Sequence, residues 1–177
     1  CIVPYVRGRE RSRTIESVVA ECRLLVADGV REICLLGQNV NSYGRNIYGE
    51  PHFAELLRAV GETGIERIRF TSSNPKDLSD ETIAAMAEVP AVMPHLHLAV
   101  QSGSTRVLKA MNRSYTRDEY LALVGRLRAA IPNIALSTDI IVGFPGETEE
   151  DFQDTLSLVR EAGFSSAFTF IYSPRPG

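Results

Sequence analysis

Apolar and polar positions follow one repeating pattern along this chain. A short apolar run ends in a burst of small and polar residues, and an amphipathic stretch of helical length comes next. The runs are ICLLGQN (Ile33 to Asn39), RIRFTSSN (Arg67 to Asn74), HLHLAVQSGS (His95 to Ser104), LSTDIIVGFPGET (Leu136 to Thr148) and FTFIYSPRPG (Phe168 to Gly177). This is the signature of βα units. Parallel strands need crossover helices, and when such units close around a sheet the reactive groups gather where the strands end. The five polar bursts are therefore the places to look for chemistry.

The pattern predicts a loop from Cys1 to Arg13, then a helix over Ile15 to Asp28 with Thr14 as N-cap and Gly29 as its stop. A strand follows at Glu32 to Leu36. A loop rich in Gly, Asn and Tyr runs from Gly37 to Glu50 and precedes a helix over Phe53 to Glu62. A strand at Arg67 to Thr71 leads through Asn74 and Pro75 to a helix capped by Ser79, with Asp80 and Glu81 suited to the positive end of its dipole. The strand His95 to Val100 is bracketed by Pro90 and Pro94, and a short helix, Thr105 to Met111, comes after Gln101 to Ser104. Thr116 and Glu119 form a capping-box pattern for the next helix. The last predicted elements are a strand at Ala135 to Val142, a helix at Glu149 to Ala162 capped by Thr148 with Asp151, and a strand at Ser166 to Tyr172. Five strands are too few for a closed eight-stranded barrel.

At 177 residues and 44% hydrophobic content, the chain is expected to form one domain. Its net charge of −3 gives no global reason to expect a nucleic-acid surface, so any such contact would be local. No apolar run approaches the roughly 20 residues of a membrane span and nothing resembles a signal peptide, which leads to the expectation of a cytoplasmic protein without membrane partners. Of the three cysteines, Cys22 shares a helical face with Ile15, Val18, Val19, Leu25 and Val26, and Cys34 lies in an apolar strand. Both are expected in the core. Cys1, with no initiator Met before it and a basic segment after it, suggests a piece of a longer chain.

Asp139 is a carboxylate in an otherwise apolar strand, costly unless it is paired or lines a cavity. Gly143 and Gly146 allow close backbone approach just ahead of helix N-terminal amides; a plain strand-to-helix turn would also explain them. Gln101 to Ser104 offers amide and hydroxyl groups at a helix start, and Gly37 to Asn41 brings three carboxamides to another strand end. Arg7, Arg9, Arg11 and Arg13 occupy alternate positions, so an extended backbone would point all four to one side as a phosphate-reading surface or, equally, as a solvated linker. His52, His95 and His97 are not spaced as a metal triad.

These segments, with Met111 to Arg113 and the Tyr-Ser-Pro-Arg-Pro-Gly at Tyr172 to Gly177, resemble over the whole length the radical S-adenosylmethionine methylthiotransferases. The Gly-Gln-Asn-Val-Asn at Gly37 to Asn41 is most similar to the MiaB-type branch, which methylthiolates dimethylallyladenosine beside the anticodon of tRNA. The resemblance implies an α/β fold, an incomplete (β/α)6 radical-SAM barrel of the TIM type lacking its first strand. It makes residues 1–177 a catalytic core separated from an amino-terminal methylthiotransferase domain and a carboxy-terminal RNA-binding domain. It implies a 4Fe-4S cluster held by CxxxCxxC, with Cys1 as the third ligand and two cysteines upstream, a second 4Fe-4S cluster in the amino-terminal domain, S-adenosyl-L-methionine, a tRNA substrate and an electron donor protein. One thiolate cannot replace three, so the segment alone is expected to be inactive.

By the same resemblance, Gln101, Ser102 and Asp139 would hold the ribose and methionyl parts of S-adenosylmethionine, and Val142, Gly143 and Glu147 would flank its adenine. Gln38, Asn39, Arg113 and Tyr172 are further cofactor or substrate candidates, and the arginines at 7, 9, 11 and 13 would face the RNA. The implied reaction is reductive cleavage of the cofactor to a 5′-deoxyadenosyl radical, hydrogen abstraction from the adenine ring, and sulfur insertion with methylation by a second S-adenosylmethionine. Competing readings are a methylthiotransferase acting on a ribosomal-protein aspartate, a phosphate-binding barrel without radical chemistry, and an RNA-binding module without catalysis.

Overall fold

The computed structural model describes residues 8, 10–71 and 73–174. The chain divides into two compact units, Cys1–Ser72 with Asp77–Met93, and Ser73–Lys76 with Pro94–Gly177.

In the first unit, helix α1 (Ile15–Ala27) starts where the Thr14 hydroxyl accepts from the Ser17 amide. Strand β1 (Glu32–Leu35) pairs in parallel with β2 (Arg67–Phe70), Glu32 opposite Arg67 and Leu35 opposite Phe70. The segment expected as a plain loop over 37–50 is more structured than that. It holds a 3-10 turn at Val40–Ser42 and a one-turn helix, α2 (Arg45–Tyr48). Gly44 makes the corner between them, with φ +89, and a Cβ there would sit 2.9 Å from the Tyr48 ring. Helices α3 (Phe53–Gly61) and α4 (Asp80–Glu88) supply the apolar cover, and Leu57, Val60, Ile68 and Ala85 are fully buried. The 91–93 segment extends the sheet, through bonds of 2.7 Å from the Ile68 amide to the Ala91 carbonyl and 3.0 Å from the Met93 amide to the Ile68 carbonyl.

Cys22 is buried, as its helical face predicts, and burial pushes its thiol pKa up. Cys34 is not. Strand side chains alternate faces, and β1 is apolar only on the face of Ile33, so Cys34 stands exposed beside Arg69 on the charged face. On that face Glu32 pairs with Arg67 at 2.9 Å and Arg69 at 3.2 Å.

The second unit is a parallel sheet in the order β3 (His95–His97), β4 (Ala135–Val142), β5 (Ser166–Ile171). Between the strands run α5 (Thr105–Ala110), α6 (Arg117–Ala130) and α7 (Glu149–Ala162), the last two opened by capping boxes at Thr116 and Thr148. The core holds Leu96, Leu98, Tyr120, Leu127, Leu136 and Leu158, all fully buried. Strand β5 is exposed along its whole length, with Phe168, Phe170 and Ile171 among the bare apolar residues.

Strand β3 is shorter than the expected His95 to Val100 because side chains take over its pairing. The Leu98 amide still reaches the Ser137 carbonyl at 2.8 Å. Beyond it the Thr138 hydroxyl accepts from the Val100 amide and donates to the Leu98 carbonyl, both at 2.9 Å, while Tyr120 donates to Leu98 at 2.7 Å. Pairing resumes at Gln101, whose amide meets the Asp139 carbonyl at 2.8 Å. Three residues of one strand thus span two of the other, a one-residue bulge. No helix among the described residues is long and apolar enough to cross a membrane.

Candidate cofactor and substrate site

The bulge delivers Gln101 to the end of the sheet in a left-handed conformation, φ +72, rare for a residue with a side chain. Two bonds hold it there, from its amide to Asp139 and from the Ile141 amide (2.9 Å) to its carbonyl. The hydroxyl of Ser102 points into the fold: it accepts from the Ser104 amide at 3.2 Å and lies 3.4 Å from the Thr155 hydroxyl on α7. What Ser102 can offer a ligand is its backbone.

Asp139 is partly exposed at the same strand end. His97 Nε2 lies 3.3 Å from its Oδ2, His97 Nδ1 lies 3.0 Å from Ser137 Oγ, and His95 Nε2 lies 3.5 Å from that hydroxyl. The sequence reading set the histidines aside as poor metal ligands and did not join them to Asp139. The signal was present: His-x-His and Ser-x-Asp on neighbouring parallel strands, in the register that sets His97 opposite Ser137.

After β4 the chain turns through Gly143 and Gly146, both with positive φ. No chain atom stands near where their Cβ atoms would be, so the positive φ of the turn, and no packing against the chain, is what calls for glycine, and the space beside them is open. The Glu147 carboxylate folds back, Oε2 accepting from the Gly143 amide, while Oε1 is buried with no partner among the described residues. Tyr172 packs edge-on to Phe144 at 5.1 Å, and its amide bonds the Val142 carbonyl at 2.8 Å.

Two residues that the sequence reading did not single out for the site tie the loop down. Arg106 donates to the Gly146 carbonyl at 2.6 Å and forks onto Asp151, and Ser104 donates to Asp151 at 2.6 Å. The same carboxylate accepts from the amide (2.8 Å) and hydroxyl (2.7 Å) of Thr148. Bonds from Arg106 first, then Ser104 and Thr148, hold the Asp151 carboxyl well below the usual carboxylate range, and the pairing raises Arg106 in turn. A depressed folded-state pKa stabilises the fold above the unfolded value, and the benefit is lost as pH falls below it. Replacing Asp151 with Asn should therefore lower the urea midpoint clearly at about pH 7. The gap to the parent should shrink as pH drops below about 4; a gap independent of pH would show that the charge does not matter.

Arg113 is exposed, and its amide closes α5 onto the Leu108 carbonyl at 2.9 Å after Asn112 at φ +57.

In the first unit, Gln38 is exposed and Asn39 half-buried at the end of β1. Both line a cleft of about 940 Å³, with Arg11 and Cys34. Residues 10–15 are pinned along the 39–48 segment by Ser42 donating to Glu10 (2.9 Å), the Gly44 amide to Ser12 (3.1 Å) and Tyr43 to the Arg13 carbonyl (2.7 Å). Arg13 turns back onto α1, binding Glu21 and Ser17, whereas Arg11 makes no ion pair among the described residues. Of the two described arginines of the row, Arg13 is thus engaged on α1. Arg7 and Arg9 lie outside the described residues, as does Cys1. No group of three or more metal-binding side chains occurs among the described residues.

A profile of the radical SAM superfamily matches residues 1–159. This chain belongs to that superfamily. The tRNA-2-methylthio-N(6)-dimethylallyladenosine synthases of Clostridium novyi and Carboxydothermus hydrogenoformans are 61% and 58% identical to it over 178 residues, all of this chain but 39% and 40% of theirs. The chain thus spans about two fifths of the relatives that it matches. Among solved structures, the radical S-adenosylmethionine methyltransferase TsrM of Kitasatospora setae, with cobalamin and a [4Fe-4S] cluster bound, shares the fold with a TM-score of 0.70 at 19% identity, over 93% of this chain and 31% of that one. The coproporphyrinogen III oxidase HemN of Escherichia coli gives 0.61 at 16%, over 93% and 39%. The βα pattern and the α/β radical SAM fold that the family resemblance implies are both found.

Proposed function

We propose that this chain is the radical-SAM core of a tRNA methylthiotransferase that modifies dimethylallyladenosine beside the anticodon. The observation that carries the reading is the 61% identity across every residue of the chain to a synthase of that name.

The strand-end residues fit S-adenosylmethionine. Glu147 Oε1 is a buried acceptor awaiting a donor, Asp139 presents carboxylate oxygens suited to ribose hydroxyls, and Gln101 is held in a costly backbone state against the Asp139 backbone. Gln101 and Asp139, with the Ser102 backbone, would hold the ribose and methionyl parts. Val142, Gly143 and Glu147 would border the adenine, with Tyr172 and Phe144 as an aromatic wall. Cys1 would be the third ligand of the 4Fe-4S cluster, with the other two supplied upstream and a second cluster on the amino-terminal domain. When bound, cluster and cofactor supply a carbon radical able to take a hydrogen atom from an unactivated position. This chain's own part is to orient the cofactor and keep water out. Arg11, with Arg7 and Arg9, would meet RNA phosphate, and an electron donor protein would act in the cytoplasm as partner.

Incubating the native-length, cluster-loaded protein anaerobically with dithionite, S-adenosylmethionine and an anticodon stem-loop bearing dimethylallyladenosine should give methylthiolated RNA together with 5′-deoxyadenosine. Modification of an aspartyl peptide instead, or of neither, would overturn the reading.

A further inference from the structure

Asn39 follows β1 as the residue before the 3-10 turn Val40–Ser42, and Asp77 lies in the 3-10 turn Pro75–Asp77 after β2. Asn39 Nδ2 donates to Asp77 Oδ2 at 2.6 Å, and Arg45 stands 3.9 Å from Asp77 Oδ1. A carboxylate paired with arginine only accepts, so it settles which way the carboxamide faces: nitrogen toward Asp77, oxygen away. That oxygen is shielded from water and has no donor among the described residues. A buried acceptor without a partner is a standing cost, relieved by an incoming donor. Asn39 lines the 940 Å³ cleft, which is large enough for a nucleoside.

We infer that Asp77 is a positioning residue that locks the Asn39 carboxamide as an acceptor for the exocyclic amine N–H of an adenine base, making the pair a specificity device. The inference rests on the function proposed above. The same N–H is present on the substrate nucleotide and on S-adenosylmethionine; the two sources are separated by experiment, and a result for the cofactor would move its adenine here from the Val142 to Glu147 turn.

The native-length protein is titrated by fluorescence anisotropy with stem-loops whose target adenine carries one alkyl group on the amine, leaving one N–H, or two, leaving none. In parallel it is titrated by calorimetry with S-adenosylmethionine and its dialkyl-amine analogue. On one of the two ligands the parent should prefer the N–H form about tenfold, the worth of one well-made hydrogen bond. That preference should fall to about one in Asn39→Ala, and in Asp77→Asn, where the carboxamide is free to turn. It should return in the paired variant Asn39→Asp with Asp77→Asn, where a carboxamide again donates to a group that keeps an acceptor free. A merely structural role would not let the swap restore discrimination. Loss on the RNA arm assigns the base to the substrate, and loss on the calorimetric arm assigns it to the cofactor. A preference that survives in both single variants, or a parent that distinguishes neither pair, overturns the inference. A parent that ignores RNA yet distinguishes the two cofactor forms overturns the tRNA reading and leaves this inference standing.

Discussion

Gly103→Ala should lower the stability of the chain by about 3 kcal/mol, the upper part of the range for overpacking a tight contact. A Cβ at this position would lie 2.4 Å from the Thr155 Cα, 2.5 Å from the Asp154 carbonyl oxygen and 2.7 Å from the Thr155 amide nitrogen. All three are backbone atoms of α7 and cannot swing aside as a side chain could. The helix would have to retreat, and in retreating it would stretch the bonds from the Gly103 amide to the Thr155 hydroxyl (2.8 Å) and from Ser104 to Asp151 (2.6 Å). Each is buried, so a broken bond there leaves a polar group without water. Gly125→Ala makes the contrast. That glycine lies within α6 with nothing near its missing Cβ, and alanine there should add about 0.5–1 kcal/mol by helix propensity. Denaturant midpoints of the two variants should move in opposite directions; a Gly103→Ala chain as stable as the parent would refute the tight contact.

Cys1→Ala in the native-length protein should abolish release of 5′-deoxyadenosine from S-adenosylmethionine. The side chain lies outside the described residues, so the argument is chemical. Where three thiolates hold a 4Fe-4S cluster and the fourth iron is left for the cofactor, losing one thiolate leaves a second iron without a protein ligand, and alanine offers no lone pair in its place. The expected result is a loss of release to background together with reduced iron content. Far-ultraviolet circular dichroism should match the parent. Undiminished release by the variant would mean that Cys1 is not a ligand.

The fold was largely legible because the apolar runs, caps and turn glycines agree with one another: Thr14, Ser79, Thr116 and Thr148 all cap the helices they were expected to cap. Legibility failed where side chains replace backbone pairing, as Thr138 and Tyr120 do beside Leu98, since no period in the sequence reports a bulge. It failed at Cys34 because the apolar run Ile33 to Leu36 hides that the strand buries one face only, the other carrying Glu32. Within the candidate site, Gln101 and Asp139 stood out by type and position and Glu147 through the family resemblance, whereas Arg106 carried no signal and Asp151 showed only as the capping partner of Thr148. The pairing of Arg106 with Asp151 spans 45 residues, a separation that only the folded chain closes.

The single carboxylate of Asp151 serves at once as helix cap, as partner of Arg106 and as acceptor for Ser104. The first turn of α7 therefore cannot fray by itself: opening it releases the Gly146 turn and the Ser104 corner together. The amides around positions 104, 148 and 151 form one cooperative opening unit, and in hydrogen exchange they would report a shared protection free energy where a helix end would otherwise show a gradient.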